Sequence, residues 1–118
     1  MILSIIVPHK DSSALLERLL MSIPSNDEFE VIVVDDNSKK CEKENLRKIA
    51  STYKFHLYEM KNNVGAGACR NLALKKAKGE WVLFADSDDY FVSNMYEIIG
   101  EGLKSKADIV YFRTDSIY

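Results

Sequence analysis

The stretch "EWVLFADSDD" occupies residues 80–89. Five apolar or small residues, Trp81 to Ala85, run straight into Asp86, Ser87, Asp88 and Asp89. A short apolar run closed by a polar turn reads as a buried strand. This one delivers three carboxylates within four positions. Left alone, they repel and raise one another's pKa. A divalent cation relieves that repulsion, and an all-oxygen ligand set selects Mg²⁺ or Mn²⁺ over zinc or copper. The competing structural reading has Asp86 and Ser87 capping the next helix while the other carboxylates are solvated.

Working outward, the period of the apolar residues alternates between that of strands and that of helices. Strands are predicted at "LSIIV" (3–7), "EVIVV" (30–34), "FHLYEM" (55–60), "EWVLFA" (80–85) and "DIVYF" (108–112). The third is more polar and belongs near an edge. Helices are predicted at "SSALLERLLMSI" (12–23), "KENLRKIASTY" (43–53), "ACRNLALKKAK" (68–78) and "SNMYEIIGEGLKS" (93–105). Ser12 or Ser13 is placed to cap the first, Pro24 stops it, and Gly79 is placed to cap the end of the third. Near-continuous apolar strands alternating with amphipathic helices predict an α/β fold. It is a three-layer α/β/α sandwich around a mostly parallel sheet. In such a sheet Trp81 and Phe84 belong to the core.

The bulk properties narrow the function. The chain has 118 residues, enough for one domain with a core. Sixteen basic residues against 18 acidic ones leave a net charge of −2. That balance gives no electrostatic case for nucleic acid or an anionic membrane surface. Lys75, Lys76 and Lys78 read as a solvated helix face. Cys41 and Cys69 form no CxxC pair, which argues against zinc and fits a reducing cytosol. Cys69 is expected to pack as a small apolar residue, and Cys41 to lie near a helix start. No apolar run approaches the ~20 residues of a membrane span. Beyond residue 112 the tail "RTDSIY" adds no further element, so the domain reads as cut short.

In an open α/β sheet, ligands sit beyond the carboxyl ends of the strands. The residues there are Pro8, His9 and Lys10, then Asp35 and Asp36, then the loop leading to Gly65 and Gly67, then Asp86 to Asp89. Polar, small and acidic residues gather at this rim, whereas the loops at the other end are generic. "GAGACRN" (65–71) opens a helix whose amide N–H groups suit a phosphate, and Arg70 adds a cation. The alternative is a plain glycine loop with a surface arginine. His56, within a strand, reads as structural or exposed. Tyr90 and Phe91 read as packing under the next helix or as lining for a ligand pocket.

With these motifs in place, the sequence resembles the family-2 glycosyltransferases with a GT-A fold. The resemblance rests on "SIIVPHKDSSALLERLLMSI", "EVIVVDDNS" and above all "NNVGAGACRNLALKKAKGEWVLFADSDD". It implies that residues 1–118 are the part of a GT-A domain that binds a nucleotide-sugar donor, by default a UDP-sugar. Pro8, His9 and Lys10 are then expected against the nucleobase, with one of Asp35 and Asp36 hydrogen-bonded to it. Gly65 and Arg70 are expected near the ribose and diphosphate. Asp86 and Ser87 are expected at the donor, and Asp88, with Asp86 and Asp89, at a Mn²⁺ or Mg²⁺ ion. Lys10 departs from the aromatic residue that the family often carries there. The acceptor-binding half and the general base lie downstream in the family. The chain alone is therefore expected to bind donor and to transfer little or no sugar to its glycan, lipid or other acceptor. The implied setting is cytosolic, with any attachment to the inner membrane face made through parts outside 1–118.

Three other readings compete. A dinucleotide-binding Rossmann domain would explain Gly65-x-Gly67 and an acid about twenty residues later, but Arg70 stands where its third glycine belongs. A phospho-acceptor receiver domain would carry its Asp pair after the first strand. It would also end its fifth strand in lysine, where Arg113 and Thr114 stand here. A nucleotidyltransferase would need a glycine-rich loop after the first strand, and "PHKDSS" has none.

Overall fold

The computed structural model describes residues 2–112. The elements run β1 (Leu3–His9), α1 (Ser13–Met21), β2 (Phe29–Asp35), α2 (Lys40–Thr52), β3 (His56–Glu59), α3 (Ala66–Lys76), β4 (Trp81–Phe84) and α4 (Met95–Leu103). The four strands form one sheet in the order β3-β2-β1-β4, and every pairing is parallel. β1 and β2 lie at the centre, in register from Leu3 opposite Phe29 to His9 opposite Asp35. Their β-branched residues are buried on both faces, which suits a parallel sheet.

Two cores follow from the alternation of side chains along the strands. On one face Ile5, Val7, Val31 and Val33 meet Leu16, Leu19 and Leu20 of α1, Leu46 of α2, and Met95 and Ile99 of α4. On the other, Ile6, Ile32 and Val34 meet Cys69 and Ala73 of α3. The small residues of α3 let it lie close over β1 and β2. Cys69 is buried, and Cys41 sits in the first turn of α2, as the sequence reading expects.

The chain builds β1, β2 and β3 outward on one side, then crosses to place β4 beside β1. This reversal creates a switch point between β1 and β4, and a crevice opens at the carboxyl ends of the strands.

Four expectations are corrected. "DIVYF" (108–112) forms no strand: Ile109 and Tyr111 are exposed, and the segment pairs with no described strand. Instead it lies against α4, where a Cβ on Gly102 would meet Phe112 at 3.1 Å. Apolar content favours a strand only where a partner edge receives it. Gly79 does not cap α3, which ends at Lys76 with Ala77 as its C-cap. The Lys78 amide donates to the Glu30 carboxylate at 2.6 Å, and Gly79 is drawn over Ser4. Phe84 is 52% exposed, not core: the cluster under α3 takes in Val82 of β4 but does not reach Phe84 at the strand's end. Trp81 is half-buried against the larger core. Finally, α4 begins at Met95 with Asn94 before it, so Asp86 and Ser87 cap no helix. The tail 113–118, with Arg113 and Thr114, lies outside the described residues.

Candidate functional site

The carboxyl ends of β1, β2 and β4 surround an open cleft of about 420 Å³. Pro8, His9, Lys10, Ser12 and Leu15 line it from the β1–α1 connection, Asp36 from the end of β2, and Ala66 from the start of α3. Asp86, Ser87 and Asp88 close its remaining side.

The two carboxylates after β2 have different surroundings. Asp35 is fully buried. It accepts from the Ser38 amide at 3.1 Å, from the Ser38 hydroxyl, and from His9 Nδ1 at 2.9 Å. The Ser12 amide donates to His9 Nε2 at 3.2 Å, which leaves Nδ1 to carry the hydrogen toward Asp35. His9 and Asp35 thus lock the ends of β1 and β2 together beneath the rim. Asp36 faces the cleft, and its two oxygens accept from the Val64 amide at 2.7 Å and the Gly65 amide at 3.1 Å. Its backbone carbonyl accepts from the Asn63 side chain at 2.7 Å. Asp36 therefore shapes the loop that leads into α3.

That loop ends at Gly65, with φ 88° and ψ 162°, a conformation open essentially to glycine. No side chain caps the first turn of α3, and a Cβ placed on Gly67 would meet nothing within 4 Å. The start of α3 thus has no side-chain cap, and the space beside Gly67 is open. From the same helix, Arg70 Nη2 lies 3.0 Å from Asp86 Oδ1 across the mouth of the cleft. Lys10 is exposed at the opposite lip.

Asp86, Asp88 and Asp89 are exposed, and one oxygen of each lies within 4.8 Å of the others. The Asp89 amide donates to the Asp86 carbonyl at 3.0 Å, so a tight turn gathers the carboxylates. Burial raises the Asp89 pKa above the ordinary aspartate value, the charges of Asp88 and Asp86 raise it further, and Arg18 opposes them. A close set of oxygen donors straining against its own charge fits a hard divalent cation.

Residues missed in the sequence lie on α1 and at its two ends. Ser12 holds the cap position but makes no cap bond; its hydroxyl lies 3.0 Å from the Ser87 hydroxyl. Arg18 Nη2 donates to the Asp88 carbonyl at 2.7 Å, and the guanidinium lies 4.7 Å above the Tyr90 ring. The Phe91 amide donates to Ser22 Oγ at 2.9 Å. The available signal was an arginine and a serine four apart, adjoining the apolar stripe of this helix.

The family model described as glycosyl transferase family 2 matches residues 4–118. The chain belongs to glycosyl transferase family 2. Membership sets aside the dinucleotide-binding, receiver and nucleotidyltransferase readings. A curated relative, poly(ribitol-phosphate) beta-N-acetylglucosaminyltransferase TarS of Staphylococcus aureus, is 41% identical over 92 residues. The match takes in 74% of this chain and 16% of TarS, so this family-2 chain spans a small part of that relative's length. The crystal structure of S. aureus TarS 1-349 in complex with UDP superimposes with a TM-score of 0.75 at 36% identity. It covers 86% of this chain and 31% of that one. The mannosyltransferase PcManGT of Pyrobaculum calidifontis, in complex with GDP-Man and Mn²⁺, gives a TM-score of 0.78 at 27% identity. Here the cover is 88% of this chain and 32% of that one. No helix among the described residues is long and apolar enough to cross a membrane.

Proposed function

We propose that this family-2 chain binds the nucleotide-diphosphate sugar, a UDP-sugar, and forms the donor-binding part, residues 1–118, of a sugar-transferring domain. The carrying observation is the cleft at the β1–β4 switch point. One wall holds the Asp36-shaped loop and the uncapped start of α3, and the other holds the acidic turn. UDP in the TarS structure and GDP-Man with Mn²⁺ in the PcManGT structure support this reading.

In this reading Pro8 and Lys10 border the base, and Asp36 is the carboxylate that meets it. Asp35 and His9, spent on each other, hold that edge rigid from below. The amides after Gly65, together with Arg70, face the diphosphate. Asp88, Asp86 and Asp89 hold Mn²⁺ or Mg²⁺, and Ser87 lines the donor side. Bound there, the cation supplies electrostatic stabilisation of the diphosphate leaving group. Arg70 pairs with Asp86, and a cation held by Asp86 would leave Arg70 available to the phosphates. TarS is named for action on poly(ribitol-phosphate), and a polymer of that class is the acceptor in this reading. The free thiols Cys41 and Cys69 fit a cytosolic setting.

The test is a thermal-shift and calorimetric screen of UDP, GDP, CDP and TDP, each with and without Mn²⁺. The expected result is a Mn²⁺-dependent stabilisation by UDP that Asp88→Ala abolishes. Indifference to all four nucleotides, or a response that ignores Mn²⁺ and Asp88, refutes the assignment.

A further inference from the structure

Helix α1 and its two capping residues hold the acidic turn at three points, none of them a carboxylate of that turn. The Ser12 hydroxyl meets Ser87, Arg18 meets Asp88 and Tyr90, and Ser22 accepts from Phe91. Arg18 makes the central contact. Its Nη2 bonds the backbone carbonyl of Asp88, not a side chain, so it leaves the carboxylates free for another ligand. Its plane lies over the Tyr90 ring, on the far side of Asp89. The guanidinium thus grips the turn on both sides of Asp89 and sets the direction in which the carboxylates of Asp88 and Asp89 leave the backbone.

The cost of this arrangement is visible. The Arg18 Nε is buried, with no hydrogen-bond partner among the described residues. A buried unpaired donor is unfavourable, and an arginine on a surface helix ordinarily extends its head into water. Here the side chain is instead laid along the protein toward the turn. Packing alone would be served as well by methionine.

We propose that Arg18 is a positioning residue for the cation site, acting through the backbone of Asp88 and the ring of Tyr90. This rests on the proposed role of Asp86, Asp88 and Asp89 as cation ligands. Fixed from behind, the three carboxylates are held at cation-binding spacing against their mutual repulsion.

Charge and position make opposite predictions, which gives the inference its test. Removing a positive charge beside three carboxylates strengthens cation binding by electrostatics alone. Loss of positioning weakens it, and outer-shell partners of metal ligands are typically worth about tenfold or more in affinity. Mn²⁺ binding to the wild-type chain, Arg18→Met, Arg18→Lys and Tyr90→Leu is read by electron paramagnetic resonance of free Mn²⁺, with the folded fraction of each checked by circular dichroism. Arg18→Met is expected to bind Mn²⁺ about tenfold more weakly. Arg18→Lys, which keeps a donor and a cation over the ring, should recover part of the loss. Tyr90→Leu alters an exposed side chain and leaves charge unchanged, so it keeps the question open to decision if Arg18→Met fails to fold; it should also weaken binding. Tighter or unchanged binding in the folded variants overturns the inference and leaves the cation site standing. Failure of the wild-type chain to bind Mn²⁺ overturns both.

Discussion

Three glycines show how differently a single residue can be constrained. Gly79 faces the β1 backbone, and a Cβ there would lie 2.6 Å from the Ser4 nitrogen. Gly79→Ala is therefore expected to cost about 1–3 kcal/mol through overpacking, read as a lowered urea midpoint. Gly65 has open space around it but a φ of 88°, so Gly65→Ala should cost a similar amount through backbone strain, about 1–3 kcal/mol. Gly67 has neither constraint. Gly67→Ala should be neutral or stabilise by up to about 0.5–1 kcal/mol, yet weaken UDP binding by placing a methyl group before the α3 amides. A Gly67→Ala chain with unaltered UDP affinity would show that phosphate does not approach there. The same scale separates Asp35 from Asp36. The sequence offers two adjacent aspartates, whereas the folded chain turns the first inward to His9 and Ser38 and leaves the second on the cleft.

At the scale of elements, the amino ends of β1, β2 and β3 and the end of α3 meet at Glu30. This buried carboxylate accepts from Ser4 Oγ at 2.5 Å and from the Lys78 amide at 2.6 Å, with His56 Nε2 3.7 Å away. Burial pushes its pKa up, but the Ser4 and Lys78 hydrogen bonds and the charges of His56 and Lys78 outweigh it, and the net shift is downward. A folded pKa below the unfolded one means that ionised Glu30 stabilises the fold. That contribution is present above the ordinary glutamate value and is lost as pH falls through the depressed value. Urea unfolding from neutral to acid pH should show a loss of stability in this window, and Glu30→Gln should flatten it. An equally steep loss in Glu30→Gln would assign the acid sensitivity to other carboxylates. Elements with strong apolar period were legible in the sequence: β1, β2, α1 and α2 lie within a few residues of their expected bounds. "DIVYF" was misread because its composition suits a strand, while its actual neighbour is α4. Composition reports what a segment can bury, and topology decides against what.

At the scale of the whole molecule, the cleft gathers segments from residues 8–15, 36, 66 and 86–88, separated by up to about eighty positions. The chain covers 16% of TarS, so donor binding and sugar transfer are separable questions. The expected outcome for residues 1–118 is UDP-sugar binding with little or no turnover, checked by release of UDP in the presence of candidate acceptors. Sustained acceptor-dependent release would place the catalytic base within these residues.

The sequence by itself determined the α/β alternation, the parallel sheet and the rim at which polar residues collect. Those follow from local period and from the rule that parallel strands are joined by crossovers. It also marked the acidic turn, because three carboxylates in four positions are conspicuous in one dimension. Only the tertiary structure decided that Asp36 reaches the cleft while Asp35 does not. It alone brought Arg18 to Asp88 across seventy positions and set Gly79 on Ser4. The physical reason is one of range: secondary structure is fixed by neighbours a few residues away. Which polar groups meet is fixed by which helix covers which face of the sheet, and local sequence carries that information weakly.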